Sequence, residues 1–360
     1  MGSALTIPRA AALAAAMLAA SPPPPAQAQG QRVCADGGQD CRVVLPGRHA
    51  VTQSDYWQQA FARPVEQRIG PASAELIDYI ARDNAKNSIP NKPRLPALTP
   101  DFLRDVRQAF DELPPAVKRL LSGRLAGIVF VEDFGGSGFT EEIVDSGSRP
   151  FAGFVVLDPV VLSERTANAW ATWKENTPFM PQAGYALEAE IEAGAEDNRK
   201  NAIQYILLHE LGHVLAIGEN IHPPWTIEPK DVRSAAGFPY FLLSWALPKE
   251  GDRYATLFDA GFSQRKDIVY YFGAKLHGEQ MIDAYDALAA TNFPSLYAAN
   301  NPADDWAEAF VTYVHTVLMH KPFGIRIYKD GKLAKEYRSC WMEKRCQEKR
   351  KILERLLDAR

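Results

Sequence analysis

The sequence predicts an α+β fold, mainly helical, with a small mixed sheet. Three observations carry this expectation. Residues 201–217 place apolar side chains (Ile203, Ile206, Leu207, Leu208, Leu211, Val214, Leu215) on almost every side of a helix, the pattern of an element buried inside a larger protein. Asn301-Pro302 opens a second helix with Trp306, Phe310, Val311, Val314 and Leu318 along its apolar side. Two short runs, Leu125 to Val131 and Phe151 to Leu157, are β-branched or aromatic and bounded by glycine, proline or aspartate, which reads as two strands. The 360 residues are 46% hydrophobic, enough for a sizeable core, and the formal net charge of -4 comes without a face-sized basic cluster, which argues against nucleic-acid binding.

Taken in order, the chain begins with Arg9, an apolar run from Ala10 to Ala20, a proline cluster, and Ala26-Gln27-Ala28. A basic start, a short apolar stretch and small residues before a cut site predict a secretory signal peptide over 1–28, and an exported protein, periplasmic or extracellular. The apolar run is too short to span a bilayer, and no other stretch is long and apolar enough to do so. Four cysteines in two close pairs, Cys34 with Cys41 and Cys340 with Cys346, agree with export and predict disulfides; local and crossed pairing both remain open. CxxC-like spacings, which a cysteine zinc site would need, are absent. Tyr56 to Asn87 reads as helical, and the prolines between 90 and 100 read as a linker. Thr99-Pro100-Asp101 reads as a helix start, with a hydroxyl cap, a first-turn proline and an acid near the dipole. Gly135-Gly136-Ser137-Gly138 between the two strands is read as a loop, without the lysine that a phosphate-cradling loop needs. The last segment, about Trp341 to Leu357, reads as a charged amphipathic helix with a solvated face.

The buried helix carries His209-Glu210-Leu211-Gly212-His213. Residues i and i+4 share one helix face, so both imidazoles can reach one metal ion, and neutral imidazole suits zinc. Glu210, beside the first histidine, is free to take a proton from a water. Seven histidines in the chain make this spacing a chance event only about once in a hundred such sequences. Three polar residues buried unpaired in so apolar a helix would cost several kcal/mol, which a metal would relieve. A catalytic zinc needs a third protein ligand. The HExxHxxGxxH spacing fails here, because Ala216 and Glu219 stand where glycine and histidine would be; His222 is displaced by three residues and stays a weaker alternative.

The helix after Asn301 offers carboxylates at 304 and 308, four residues apart on one face. Together with the upstream HELGH, the run Asp304-Asp305-Trp306-Ala307-Glu308-Ala309-Phe310 resembles the gluzincin zinc peptidases, in particular their lethal-factor-like branch, across roughly residues 200 to 318. The resemblance implies a zincin-like catalytic domain with an active-site helix and a second, ligand-bearing helix. It implies Zn²⁺ held by His209, His213 and Asp304, Glu308 orienting a ligating histidine from behind, and Glu210 as the general base. It also implies that Tyr297, seven residues before Asp304, faces the reacting carbonyl, and that the substrate is a peptide or protein. Asp304 departs from the glutamate usual in that family and is one methylene shorter. The two helices must then approach more closely, or Glu308 must ligate instead. A zinc-bearing protein without turnover is the competing expectation. The organisation expected is a signal peptide (1–28), an N-terminal helical segment with a proline-rich linker (29–98), the catalytic domain (99–325) and a disulfide-stapled C-terminal helix (326–360). The strand around Phe154 to Leu157 is expected at the sheet edge beside the cleft, where an extended substrate would pair.

Overall fold

The structure, a computed structural model, describes residues 31–34, 41–44, 49–248, 251–271 and 273–358. The expected signal peptide and the side chains of Cys34 and Cys41 lie outside the described residues. Helix outweighs strand, 45% against 18%, in an α+β arrangement with small mixed sheets. Among the described residues no helix is long and apolar enough to cross a membrane.

The first described elements are a short antiparallel pair, β1 (Gln31–Cys34) and β2 (Cys41–Val44). The region expected to be helical from Tyr56 to Asn87 is instead broken in three: α1 (Ser54–Phe61), β3 (Ile69–Pro71) and α2 (Ala74–Lys86). Pro64 and Gly70-Pro71 stop the helical pattern, and Pro71, which has no N–H to give, is accommodated because β3 is an outer strand. After the proline-rich stretch, whose Arg94 bridges to Glu132, α3 (Pro100–Asp111) begins as expected, with the Thr99 hydroxyl accepting from Phe102 N–H at 3.2 Å. Then come α4 (Pro115–Leu121), β4 (Leu125–Phe130), β5 (Gly138–Val144), β6 (Pro150–Leu157), α5 (Pro159–Leu162) and α6 (Ala167–Asn176). The remainder contains β7 (Phe179–Met180), β8 (Tyr185–Glu190), α7 (Arg199–Ala216), β9 (Trp245–Ala246), β10 (Ala255–Thr256), β11 (Leu276–His277) and α8 (Met281–Ala289). It ends with α9 (Pro302–Tyr313), β12 (Gly324–Lys329), β13 (Lys332–Arg338) and α10 (Gln347–Asp358).

The central sheet runs β3-β4-β6-β5, with β3, β4 and β6 parallel and β5 antiparallel to β6. This corrects the expected edge. β6 lies inside the sheet, buried along most of its length, and the outer strand is β5, which begins at Gly138, so the last glycine of the run read as a loop is already strand. The two inner strands are apolar on both faces because both are covered. Ile128, Phe130, Val155 and Leu157 pack with Leu207, Leu208 and Leu211 of α7. Ala126, Phe154 and Val156 pack on the other face with Leu76, Ile80 and Trp57, whose ring stacks on Phe154 at 4.9 Å. The β3–β4 ladder therefore joins the 49–98 region to the same sheet as the rest. A second sheet, β13-β12-β8, joins the C-terminal hairpin to the strand before α7. Cys340 and Cys346 pair locally, just before α10.

Helix α7 is buried on nearly every side, and Asn198 caps it by accepting from Asn201 N–H at 3.0 Å. The helix ends at Ala216, and Gly218 just beyond it has a φ of +75°, which suits glycine. A Cβ there would also stand 2.5 Å from the Pro150 carbonyl oxygen, so only glycine lets the chain turn so close to β6.

Candidate metal centre

Helices α7 and α9 cross at their small residues. A Cβ on Gly212 would lie 3.0 Å from Ala307 Cα and 3.2 Å from Phe310 Cβ, so the absent side chain sets how near the helices come. The Trp306 indole N–H donates to the Gly212 carbonyl at 2.8 Å and locks the crossing. At this crossing His209 and His213, one turn apart on α7, meet Asp304 from the first turn of α9. The Nε2 atoms of the two histidines stand 3.2 Å apart. Asp304 Oδ1 stands 3.8 Å from His209 Nε2 and 3.6 Å from His213 Nε2. A tetrahedral metal with nitrogen and oxygen ligands about 2.0–2.2 Å away spaces those ligands about 3.3–3.5 Å apart. The three donors fit that requirement closely, and all lie within 4.8 Å of one another. Asn301, the N-cap of α9, aims the carboxylate: its side-chain oxygen accepts from Asp304 N–H at 2.9 Å, and its amide donates to Asp304 Oδ2 at 2.6 Å. Oδ1 is thereby left toward the histidines.

Glu308 lies one turn further along α9, behind the His209 ring. Its Oε1 is 3.0 Å from His209 Nδ1. A carboxylate there requires the N–H on Nδ1 and leaves the Nε2 lone pair free for a metal. Facing the opposite ring nitrogen, Glu308 is turned away from the point that the Nε2 atoms share. Two further donors reach it: Lys174 Nζ to Oε1 at 2.7 Å and the Ser295 hydroxyl to Oε2 at 2.6 Å. Burial alone would raise the Glu308 pKa, but the charges and hydrogen bonds of Lys174 and His209 overcome it and hold the carboxyl well below its usual range. Burial would likewise depress His209, yet its bond to Glu308 and the neighbouring carboxylates Glu308, Glu210 and Asp304 hold its proton more tightly. Lys174 Nζ also lies 4.5 Å from the centre of the Tyr297 ring. Next to it, the buried Glu175 accepts from the Tyr270 and Tyr285 hydroxyls at 2.9 and 2.6 Å, and burial pushes its carboxyl up.

Glu210 points from α7 toward the outer strand. The Thr140 hydroxyl of β5 lies 2.8 Å from Glu210 Oε2, and a Cβ on Gly138 would be 3.4 Å from Oε1. Tyr297 is buried with its ring 5.7 Å from that of His209. Burial, then the Asp304 charge, keep its hydroxyl protonated well above the usual phenol range, so it retains a proton to donate. His222 is outside the converging group. Its Nδ1 donates to the Pro223 carbonyl at 2.8 Å, burial pushes its pKa down to about 4, and Trp225 stands beside it, with ring centres 6.0 Å from His222 and 6.1 Å from His213. His315 is structural: it is buried, and its Nε2–H donates to the Ile191 carbonyl at 2.6 Å.

Lys174, Ser295, Thr140 and the aiming role of Asn301 were not read from sequence. Only Lys174 left a signal. Ala167, Trp170, Ala171 and Lys174 follow one helical stripe, which puts a lysine on the buried face of α6. No family model, curated protein or solved structure matches the chain.

Proposed function

We propose that the chain is an exported zinc peptidase of the gluzincin kind, with a zincin-like catalytic domain, that hydrolyses peptide bonds. The observation that carries this reading is the convergence of His209 Nε2, His213 Nε2 and Asp304 Oδ1 at metal-ligand spacing, with a glutamate beside them that is not spent as a ligand. A purely structural site has no use for that glutamate. A His₂Asp set also suits iron, but Glu210 set between the histidines favours zinc and hydrolysis. A bound Zn²⁺ would supply Lewis acidity and make a water more acidic.

The chain's own residues supply the rest. The Glu210 carboxylate takes a proton from the attacking water as its oxygen bonds to the peptide carbon. It then passes that proton to the leaving nitrogen as the C–N bond breaks. Tyr297, held protonated, is the donor available to the developing oxyanion. The outer edge of β5 gives an extended substrate main-chain partners beside Glu210; among the described residues that edge is bridged only at Val144, by Gln53. The short carboxylate of Asp304 is matched by the close crossing at Gly212, so it does not by itself favour a zinc-binding protein without turnover. A disulfide at Cys340–Cys346 suits an oxidising compartment.

The test is Glu210→Gln measured beside the parent protein on a quenched-fluorescence peptide library, with metal content read by mass spectrometry. The expected result is one zinc per chain in both and loss of at least about 10³-fold in turnover for the variant. Normal cleavage by the variant, or a parent whose cleavage a chelator leaves untouched, would overturn the proposal.

A further inference from the structure

Strand β5 does more than close the sheet. Its residues alternate, and Gly138 and Thr140 face α7 while Phe139 and Glu141 face the opposite side, where Tyr79 donates to Glu141. Thr140 Oγ1 lies 2.8 Å from Glu210 Oε2 and 3.0 Å from the Glu210 carbonyl oxygen. The carboxylate is the stronger acceptor of the single hydroxyl proton. Oε2 therefore carries the threonine's hydrogen bond. Oε1 borders the space left by the missing side chain of Gly138, where a Cβ would come 3.0 Å from Leu157 Cδ2. Thr140 is β-branched and its χ1 is stiff, so the hydroxyl's aim is fixed by the strand backbone.

We propose that Thr140 is a positioning residue for Glu210, holding Oε2 so that Oε1 alone receives and returns the proton. This rests on the peptidase reading above. During the reaction the water proton moves to Oε1 as the C–O bond forms, and from Oε1 to the leaving nitrogen as the C–N bond breaks. The Thr140 O–H stays on Oε2 throughout and nothing else is consumed. The same strand that offers its outer edge to the substrate thus sets the angle of the base, so substrate and base share one frame of reference.

The experiment compares Thr140→Val, Thr140→Ser and Glu210→Gln, each loaded with zinc, on one cleaved peptide. Thr140→Val keeps the shape and deletes the donor. It should keep one zinc per chain and a KM within about threefold while kcat falls about 10²-fold, the scale of a misaimed catalytic group. Thr140→Ser restores the donor on a looser rotor and should recover most of that loss. A Thr140→Val kcat equal to the parent's, or a serine variant as slow as the valine one, overturns the inference. Should the valine variant fail to fold, Thr140→Cys, a weak donor of similar size, takes its place and should fall well below serine. The metal-free proteins give an independent readout. The Glu210 carboxylate stretch, isolated as the infrared difference between parent and Glu210→Gln, should shift when the threonine hydroxyl is removed, and an unmoved band overturns the inference. If Glu210→Gln itself retains turnover, the peptidase reading fails instead, and the two failures are told apart.

Discussion

Glu308 binds three donors while lying almost wholly out of water, and the energetics of the site turn on that fact. One of its partners, His209, belongs to the converging group, Ser295 donates from the segment before α9, and Lys174 arrives from α6 and is itself only 4% exposed. A buried carboxylate with no counter-charge takes up a proton, and a protonated Glu308 would no longer demand the N–H on His209 Nδ1. Lys174 therefore acts on the metal through two intermediaries. Lys174→Met should lower metal affinity about 10–100-fold, the usual effect of losing a group that orients a ligand histidine. It should also cost about 3–5 kcal/mol of folding stability, because one charge of a buried pair is left alone. Competition with a chromophoric chelator and urea unfolding measure the two. Unchanged affinity would mean that Ser295 and His209 suffice to keep Glu308 ionised. The converging His209, His213 and Asp304, and Glu308 behind them, were legible in the sequence because they lie at short spacings, i to i+4 on each helix. Lys174 was not, since 134 residues separate it from Glu308 and no spacing rule joins them.

At the scale of elements, the close crossing of α7 and α9 suits the short carboxylate of Asp304. Aspartate reaches one methylene less far than glutamate, and Gly212 against Ala307 removes the side-chain bulk that would hold the helices apart. Gly212→Ala would place a methyl 3.0 Å from Ala307 Cα, so the helices must separate by a few tenths of an ångström and Asp304 must lose contact with the shared point. Metal affinity should fall in this variant. Asp304→Glu alone should also weaken binding, by crowding the site. The double variant should bind more tightly than Gly212→Ala, with a coupling of about 1 kcal/mol or more between the two positions. Additive losses in the double-mutant cycle would show that the crossing distance does not set the choice of carboxylate. Both helices were legible in the sequence: Asn301-Pro302 marks one start, and an apolar run with Gly218 after it marks the other. Strand β5 was not, because Thr140, Glu141 and Glu142 make it polar and half-buried, as suits an outer strand. The hairpin of β12 and β13 carries a turn signal in its sequence. Asp330-Gly331, both at positive φ, is the pair that a two-residue hairpin turn favours.

For the molecule as a whole, the ligand-bearing helix is held from both sides. In front, α7 meets α9 at the metal centre. Behind, Asp305, the neighbour of Asp304, is fully buried and receives Lys349 of α10, the Trp245 indole at 2.9 Å and the Tyr240 hydroxyl at 3.4 Å. Lys349 lies between the rings of Tyr240 and Phe293, 5.2 and 4.9 Å from their centres. The last helix of the chain is thus coupled to the metal site through one residue. The Cys340–Cys346 disulfide fixes the turn that starts α10, yet it touches Asp305 only through the helix that follows. These two C-terminal devices should separate by experiment. Cys340→Ser with Cys346→Ser opens a short loop, so the loss should be about 2 kcal/mol of stability with metal affinity nearly unchanged. Lys349→Met leaves Asp305 buried without its counter-charge, so its carboxyl, which burial already pushes up, takes up a proton. Stability should fall by about 3–5 kcal/mol, and metal binding should weaken as well, because the neutral Asp305 gives up the ion pair that holds the first turn of α9 in place. Urea unfolding with and without chelator, together with chelator competition, distinguishes the two variants. Equal loss of metal affinity in both would mean that α10 acts as a rigid unit and that the disulfide, rather than the buried ion pair, keeps Asp304 beside the two histidines.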